Sequence, residues 1–182
     1  MAPRLLIIAH AETPGSRAMV FGDGSLPVGT QGRSEVRVGR WVSAPEAACR
    51  ATAEQLGTGV VIAQDLAGCD FGSWAGRTLS DVGTAEPEAV ATWLSDPYAA
   101  PHRGESLAAM LARVGSYVDR VDWPDGRSAA VVTPLVARAL IVHALGAPPE
   151  VIFRIDVAPL GRASISRSGP QWRLQDLTRL RE

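Results

Sequence analysis

The 182-residue chain contains no lysine and no asparagine, so every basic side chain other than histidine is an arginine. A GC-rich coding sequence is the simplest source of that bias. Without lysine there is no Schiff-base chemistry and no covalently held pyridoxal cofactor. Cysteine is scarce too. Cys49 and Cys69 are too few for a disulfide framework or a zinc cluster, and two buried thiols are expected. Together with His10, His102 and His143 they show no metal-ligand spacing, so neither a metal nor another cofactor is expected. Gly22-Asp23-Gly24 lacks the lysine and the glycine count of a phosphate-binding P-loop. No apolar run approaches the roughly 20 residues of a membrane span. The early run Leu5–Ala9 is shorter than a signal peptide needs, and the expected location is the cytoplasm, away from membranes. There is no basic excess either. Eighteen basic residues face 19 acidic ones, which argues against a nucleic-acid partner.

What remains is 46% hydrophobic and 20% charged, an ordinary soluble composition. The length suits a single domain over residues 1–182. Arg4–Ala9 reads as a buried strand, followed by a loop through Pro14-Gly15 and Phe21–Gly24. Residues 30–42 carry a pattern that allows an amphipathic helix. Pro45 suits the first turn of a helix over Glu46–Leu56, which Gly57 ends. Val60–Ala63 reads as a second buried strand, and short helices are expected near Leu79–Val82 and Glu86–Leu94. A longer amphipathic helix covers Ser106–Val121, and Ala129–Thr133 is a third buried strand. Pro134 opens a helix that Gly146 closes, and the alternating tail forms a hairpin around Ser168-Gly169-Pro170. Alternating strands and helices predict a three-layer α/β/α fold with a mostly parallel central sheet.

Five segments then fall in a recognisable order. Ala9-His10-Ala11-Glu12-Thr13 resembles R-H-G-x-T, and Pro45–Ala53 resembles S-P-x-x-R-x-x-x-T-A. Leu66–Gly76 resembles L-x-E-x-x-F-G-x-W-x-G, and Pro101–Leu107 resembles P-x-G-G-E-S-L. Val131–Ala139 resembles V-V-T-H-G-G-V-I-R-A. In that order they resemble the histidine phosphatase superfamily, the phosphoglycerate-mutase-like fold, over nearly the whole chain. The resemblance implies phosphoryl transfer through a phosphohistidine. A second histidine and two arginines would clamp the phosphate, and a carboxyl would protonate the leaving oxygen. Such chemistry depends on aimed positive charge around anionic oxygens, which guanidinium supplies well.

Most of those positions are emptied here. His10 stands at the nucleophile position, but Ala9 replaces the preceding arginine and Ala11 the following glycine. Ala48 replaces the second clamp arginine, and Gly68 replaces the acid. Thr133 or Pro134, according to the direction of counting, occupies the place of the second histidine. Arg50 does not rescue Ala48, because two helical positions turn it about 200° away. Losing one transition-state donor typically costs about 10²–10³ in rate, so the resemblance implies a degenerate member with an eroded phosphate pocket.

His10 is read evenly as a nucleophile, base or ligand contact, or as an inherited structural residue. Asp70 is a candidate substitute acid set against a loop-capping role. The other candidate pocket residues are Ala9, Ala11, Ser16, Ala48, Gly68, His102, Arg103, Thr133 and Pro134. His102 and Arg103 are read mainly as a solvated loop pair, and Glu105 as a first-turn helix acid. His143, Phe71 and Trp74 are read as packing residues. The favoured expectation is a protein that binds a non-phosphate small molecule or a partner protein, or that performs other chemistry around His10. The alternative is a weak or narrow phosphomonoesterase, with charge returned by Arg17, Arg50 or Arg103.

Overall fold

The computed structural model describes residues 2–29 and 37–179. The chain builds a six-stranded sheet flanked by helices, in the strand order β3-β2-β4-β1-β5-β6. Strands β1 (Arg4–Ala9), β2 (Arg40–Ser43), β3 (Val61–Ile62) and β4 (Arg127–Val132) run parallel. The antiparallel hairpin β5 (Gly161–Ser168) and β6 (Gln171–Arg179) closes the other side. The α/β expectation with a parallel centre is therefore met.

The centre is parallel because it is buried. Leu5, Ile7, Ile8 and Ala129 through Val132 are almost wholly enclosed, and such aliphatic runs need cover on both faces. In the hairpin Ala163, Ile165 and Trp172 turn inward, which is the alternation read from the tail. Helix α6 (Pro134–Leu145) carries Pro134 at its start and ends at Gly146 in the left-handed region. The long helix α5 (Leu107–Arg120) packs on α6 and buries Leu107, Met110, Val114 and Val118. The two short helices also form, as α3 (Leu79–Ala85) and α4 (Pro87–Ser95).

Several expectations need correction. Residues 30–36 lie outside the described residues, but the end of that expected helix is strand β2. Its Trp41 and Val42 are buried beside β4, so sheet pairing overrides the helical pattern. β3 is an exposed two-residue edge strand rather than a buried one, with Val61 and Ile62 each at least 40% exposed. Pro14-Gly15 opens a short helix, α1 (Pro14–Arg17), which Thr13 and Ser16 cap reciprocally. Helix α2 (Ala47–Leu56) begins after Pro45, with Glu46 at its cap position.

Candidate functional site

The carboxyl ends of parallel strands are where open α/β sheets place their ligand crevices. Here β1 delivers His10, β4 delivers Thr133, and the loop after β2 delivers Glu46. The ladder continues one step past β1, because the His10 N–H donates to the Val132 carbonyl at 3.0 Å. His10 is 7% exposed, so the imidazole is held rather than free-standing.

Its tautomer follows from its neighbour. Nδ1 lies 2.8 Å from the Ala11 carbonyl oxygen. A carbonyl only accepts, so Nδ1 carries a proton, and in the neutral ring Nε2 keeps its lone pair. Ala11 is itself fixed, since its N–H donates to the Thr52 hydroxyl at 3.0 Å. Thr52 is buried on α2, so this bond ties the end of β1 to that helix and aims the imidazole.

Ala9, Ala11 and Ala48 are buried at 2% exposure or less. The Thr133 hydroxyl accepts the Val136 N–H and caps α6, while Pro134 fills the first helical position. Ser16 is spent on the α1 capping box, and Asp70 accepts the Gly72 N–H and so caps its own loop. The three arginines considered as replacements all lie at the surface, and Arg17 pairs there with Glu12.

Two carboxylates that the sequence reading passed over lie near these positions. The Glu46 Oε1 accepts the Gly68 N–H at 2.6 Å. A Cβ at Gly68 would stand 3.2 Å from that oxygen and 3.4 Å from the Thr133 methyl. The carboxylate of Glu46 thus fills the space next to which a side chain at position 68 would project. The second is Asp23, which accepts from the Thr13 hydroxyl and from the Ser25 N–H and hydroxyl at 2.9 and 2.5 Å. Burial opposes its charge, but the Ser25 and Thr13 bonds and the nearby His10 outweigh burial and hold Asp23 below the usual carboxylate range. Burial, reinforced by Glu46, pushes the Cys49 thiol well above its ordinary value. Cys69 is raised to about 12, again chiefly by burial. Both are free thiols, buried as expected, and neither is poised as a nucleophile.

His102 is not in a solvated loop. It is completely buried, with its ring 5.1 Å from Trp74 and 5.8 Å from Phe71. Its Nδ1 accepts the Gly104 N–H at 3.1 Å, which leaves Nε2–H among the aromatic rings with no polar partner. Arg103 beside it is exposed, in the left-handed region at φ 61°. Glu105 lies outside the helix and grips Arg113 through both oxygens at 2.9 and 2.6 Å. His143 is more than a packing residue, because it meets Asp119 at 3.2 Å. Phe71 and Trp74 pack against the buried core, as read. Among the described residues no cluster of metal-ligating side chains forms. No described helix is long and apolar enough to cross a membrane.

Burial holds the His102 pKa below its ordinary 6.5, with Asp70 opposing weakly. The unfolded chain therefore binds a proton near pH 6.5 that the folded chain refuses. Stability from this group is complete above pH 6.5 and falls as the pH drops below it, by at most about 1.4 kcal/mol per pH unit. Urea midpoints between pH 7.5 and 5 should fall less steeply in His102→Phe than in the wild type. Parallel profiles would remove His102 as the source.

This arrangement matches a known class. The histidine phosphatase superfamily (branch 1) matches residues 28–179, and the chain belongs to it. A bifunctional protein of Mycobacterium tuberculosis is 32% identical over 121 residues, which is 64% of this chain and 33% of that protein. The chain thus spans about a third of the length of the curated relatives it matches. An alpha-ribazole phosphatase from Shigella flexneri superposes with a TM-score of 0.78 at 21% identity, covering 96% of this chain and 95% of that one. The mycobacterial glucosyl-3-phosphoglycerate phosphatase also gives 0.78, at 23% identity, covering 96% and 97%.

Proposed function

We propose that this chain keeps the superfamily fold while its crevice no longer grips a phosphoryl group. His10 then serves a different ligand or partner, as hydrogen-bond acceptor or general base through Nε2. One observation carries this reading. The places expected to bring positive charge to His10 are buried alanines and an uncharged threonine hydroxyl, while the Asp23 carboxylate stands close by. Charge-assisted hydrogen bonds are worth about 1.5–3 kcal/mol each, so phosphate binding loses much of its grip even before chemistry. The groups also act as a unit in the transition state, and their joint loss is not repaired by the one that stays.

An assay with an aryl phosphate and a set of sugar phosphates tests the reading. Turnover should match the buffer blank and be unchanged by His10→Ala. Saturable vanadate binding beside the imidazole, or turnover that His10→Ala removes, overturns it.

A second reading, a weak phosphomonoesterase acting through phospho-His10, has its own support. The tautomer that leaves Nε2 free for attack is intact. Half-buried Arg162 on β5 pairs across the sheet with Ile8, two residues before His10. The solved structures named above are described as phosphatases. This reading expects low turnover that falls in both His10→Ala and Arg162→Ala.

A further inference from the structure

We propose that His102 is an acid-released latch: its neutral ring pins the crossing of residues 70–73 with residues 101–105, and a proton on that ring lets the crossing open while the sheet stays folded. The inference does not depend on what His10 does. It starts from the hydrogen bonds of the ring. Nδ1 accepts the Gly104 N–H at 3.1 Å, so the proton sits on Nε2, which has no acceptor among the described residues. The ring is fully buried, in edge contacts with Trp74 and Phe71. An imidazolium donates from both nitrogens. Its Nδ1–H would face the Gly104 N–H, donor against donor, and neither ring proton would meet an acceptor. A buried cation without acceptors is too costly to keep, and opening to water relieves it.

The crossing itself has two arrangements, packed or apart. The Glu105 N–H donates to the Asp70 carbonyl at 2.8 Å and the Ser73 N–H to the His102 carbonyl at 2.9 Å. The backbones meet so closely at Gly72 and Gly104 that a small parting breaks these bonds rather than stretching them. The charged groups around the ring do not rescue the cation. Asp70 favours it, but its carboxylate accepts the Gly72 N–H. Glu105 and Arg113 are committed to each other, as are Glu86 and Arg77 at the Trp74 indole, and exposed Arg103 has the same sign as the imidazolium. Burial outweighs Asp70 and holds the His102 pKa below its ordinary 6.5. The closed crossing therefore refuses a proton that the open one takes, so the latch is whole above pH 6.5 and weakens as the pH falls below it. Opening also has a reach. Arg113 is held by the Glu105 carboxylate and donates to the carbonyls of Asp65, Ala67 and Gly68. Release of residues 101–105 takes that carboxylate away and loosens the loop that sets Gly68 beside Thr133.

The test follows amide hydrogen exchange in the full ¹⁵N-labelled chain between pH 7.5 and 5, with rates converted to opening constants so that the intrinsic pH dependence of exchange drops out. Gly104, Glu105 and Ser73 report on the crossing, and Ile7 and Val131 on the sheet. At pH 5 the crossing should open at least about tenfold more readily than the sheet. Its opening constants should rise at least about tenfold from pH 7.5 to pH 5. In His102→Gln that rise should vanish, because the glutamine carbonyl can accept the Gly104 N–H but cannot titrate. His102→Phe supplies the same comparison should the glutamine variant fail to fold. Equal opening constants for crossing and sheet at pH 5, a flat profile in the wild type, or a rise that survives the substitution overturns the inference.

Discussion

Gly104→Ala should destabilise the protein by about 3 kcal/mol or more, a loss read directly from urea unfolding. An added methyl at position 104 would lie inside 3.0 Å of the Asp70 carbonyl oxygen and carbon and of the Gly72 nitrogen. All three are backbone atoms, so no side chain can swing aside. The same joint is crowded from the other strand of chain, because a methyl at Gly72 would overlap the His102 carbonyl oxygen. Gly72 also sits at φ 45°, where any side chain adds strain. Two backbone hydrogen bonds hold the segments at this distance, Glu105 N–H to Asp70 and Ser73 N–H to His102, at 2.8 and 2.9 Å. The methyl must push the loops apart and break at least one of them. Gly83→Ala is the control, since nothing lies within 4 Å of a methyl there. It should be neutral or slightly stabilising, because alanine is the better helix residue in α3. A Gly104→Ala protein as stable as wild type would mean the two loops do not meet as described.

That joint also shows how far the sequence could be read. The glycines of Leu66–Gly76 and Pro101–Leu107 are visible as motif landmarks, and their order predicts the fold. Their physical reason, two loops crossing at backbone distance, is non-local and invisible in the string. β1, β4 and α6 were legible because each is a long run of one period with clear ends. β2 was not, because its four residues follow a charged stretch whose spacing mimics a helix. The burial of His102 is hidden for a similar reason. Pro101-His102-Arg103-Gly104 has the composition of an exposed turn, and the rings that bury His102 come from residues 71 and 74. In the site, the departures from the motifs at Ala9, Ala48 and Gly68 can be counted in the sequence. The contact of Glu46 with Gly68 could not, since it joins residues 22 apart through a loop that folds back on the end of β2. A departure from a motif is visible in a sequence, while the group that stands next to it becomes visible only in the fold.

Trp74→Ala should cost about 3–5 kcal/mol, the range for removing a large aromatic from a packed core. Trp74 is fully buried, and its ring lies 5.2 Å from Phe21, 6.0 Å from Trp93 and 5.1 Å from His102. These are tilted and edge-on contacts, which add to the burial itself. The indole N–H donates to Glu86 at 3.0 Å, so truncation also strips one partner from a carboxylate that Arg77 holds at 2.6 Å. Trp74→Phe separates the two contributions. It keeps most of the ring contact and loses the hydrogen bond, and should cost about 1–2 kcal/mol. The alanine variant should also open the cage around His102. Once solvated, that imidazole no longer resists protonation, and the extra loss of stability below pH 6.5 should shrink. Urea titrations of wild type, Trp74→Phe and Trp74→Ala at pH 7.5 and 5.5 measure both effects. A Trp74→Ala loss below about 1 kcal/mol would show that the aromatic cluster does not hold the two crossing loops together. An unchanged pH dependence alongside a large loss would show that His102 draws its shielding from elsewhere.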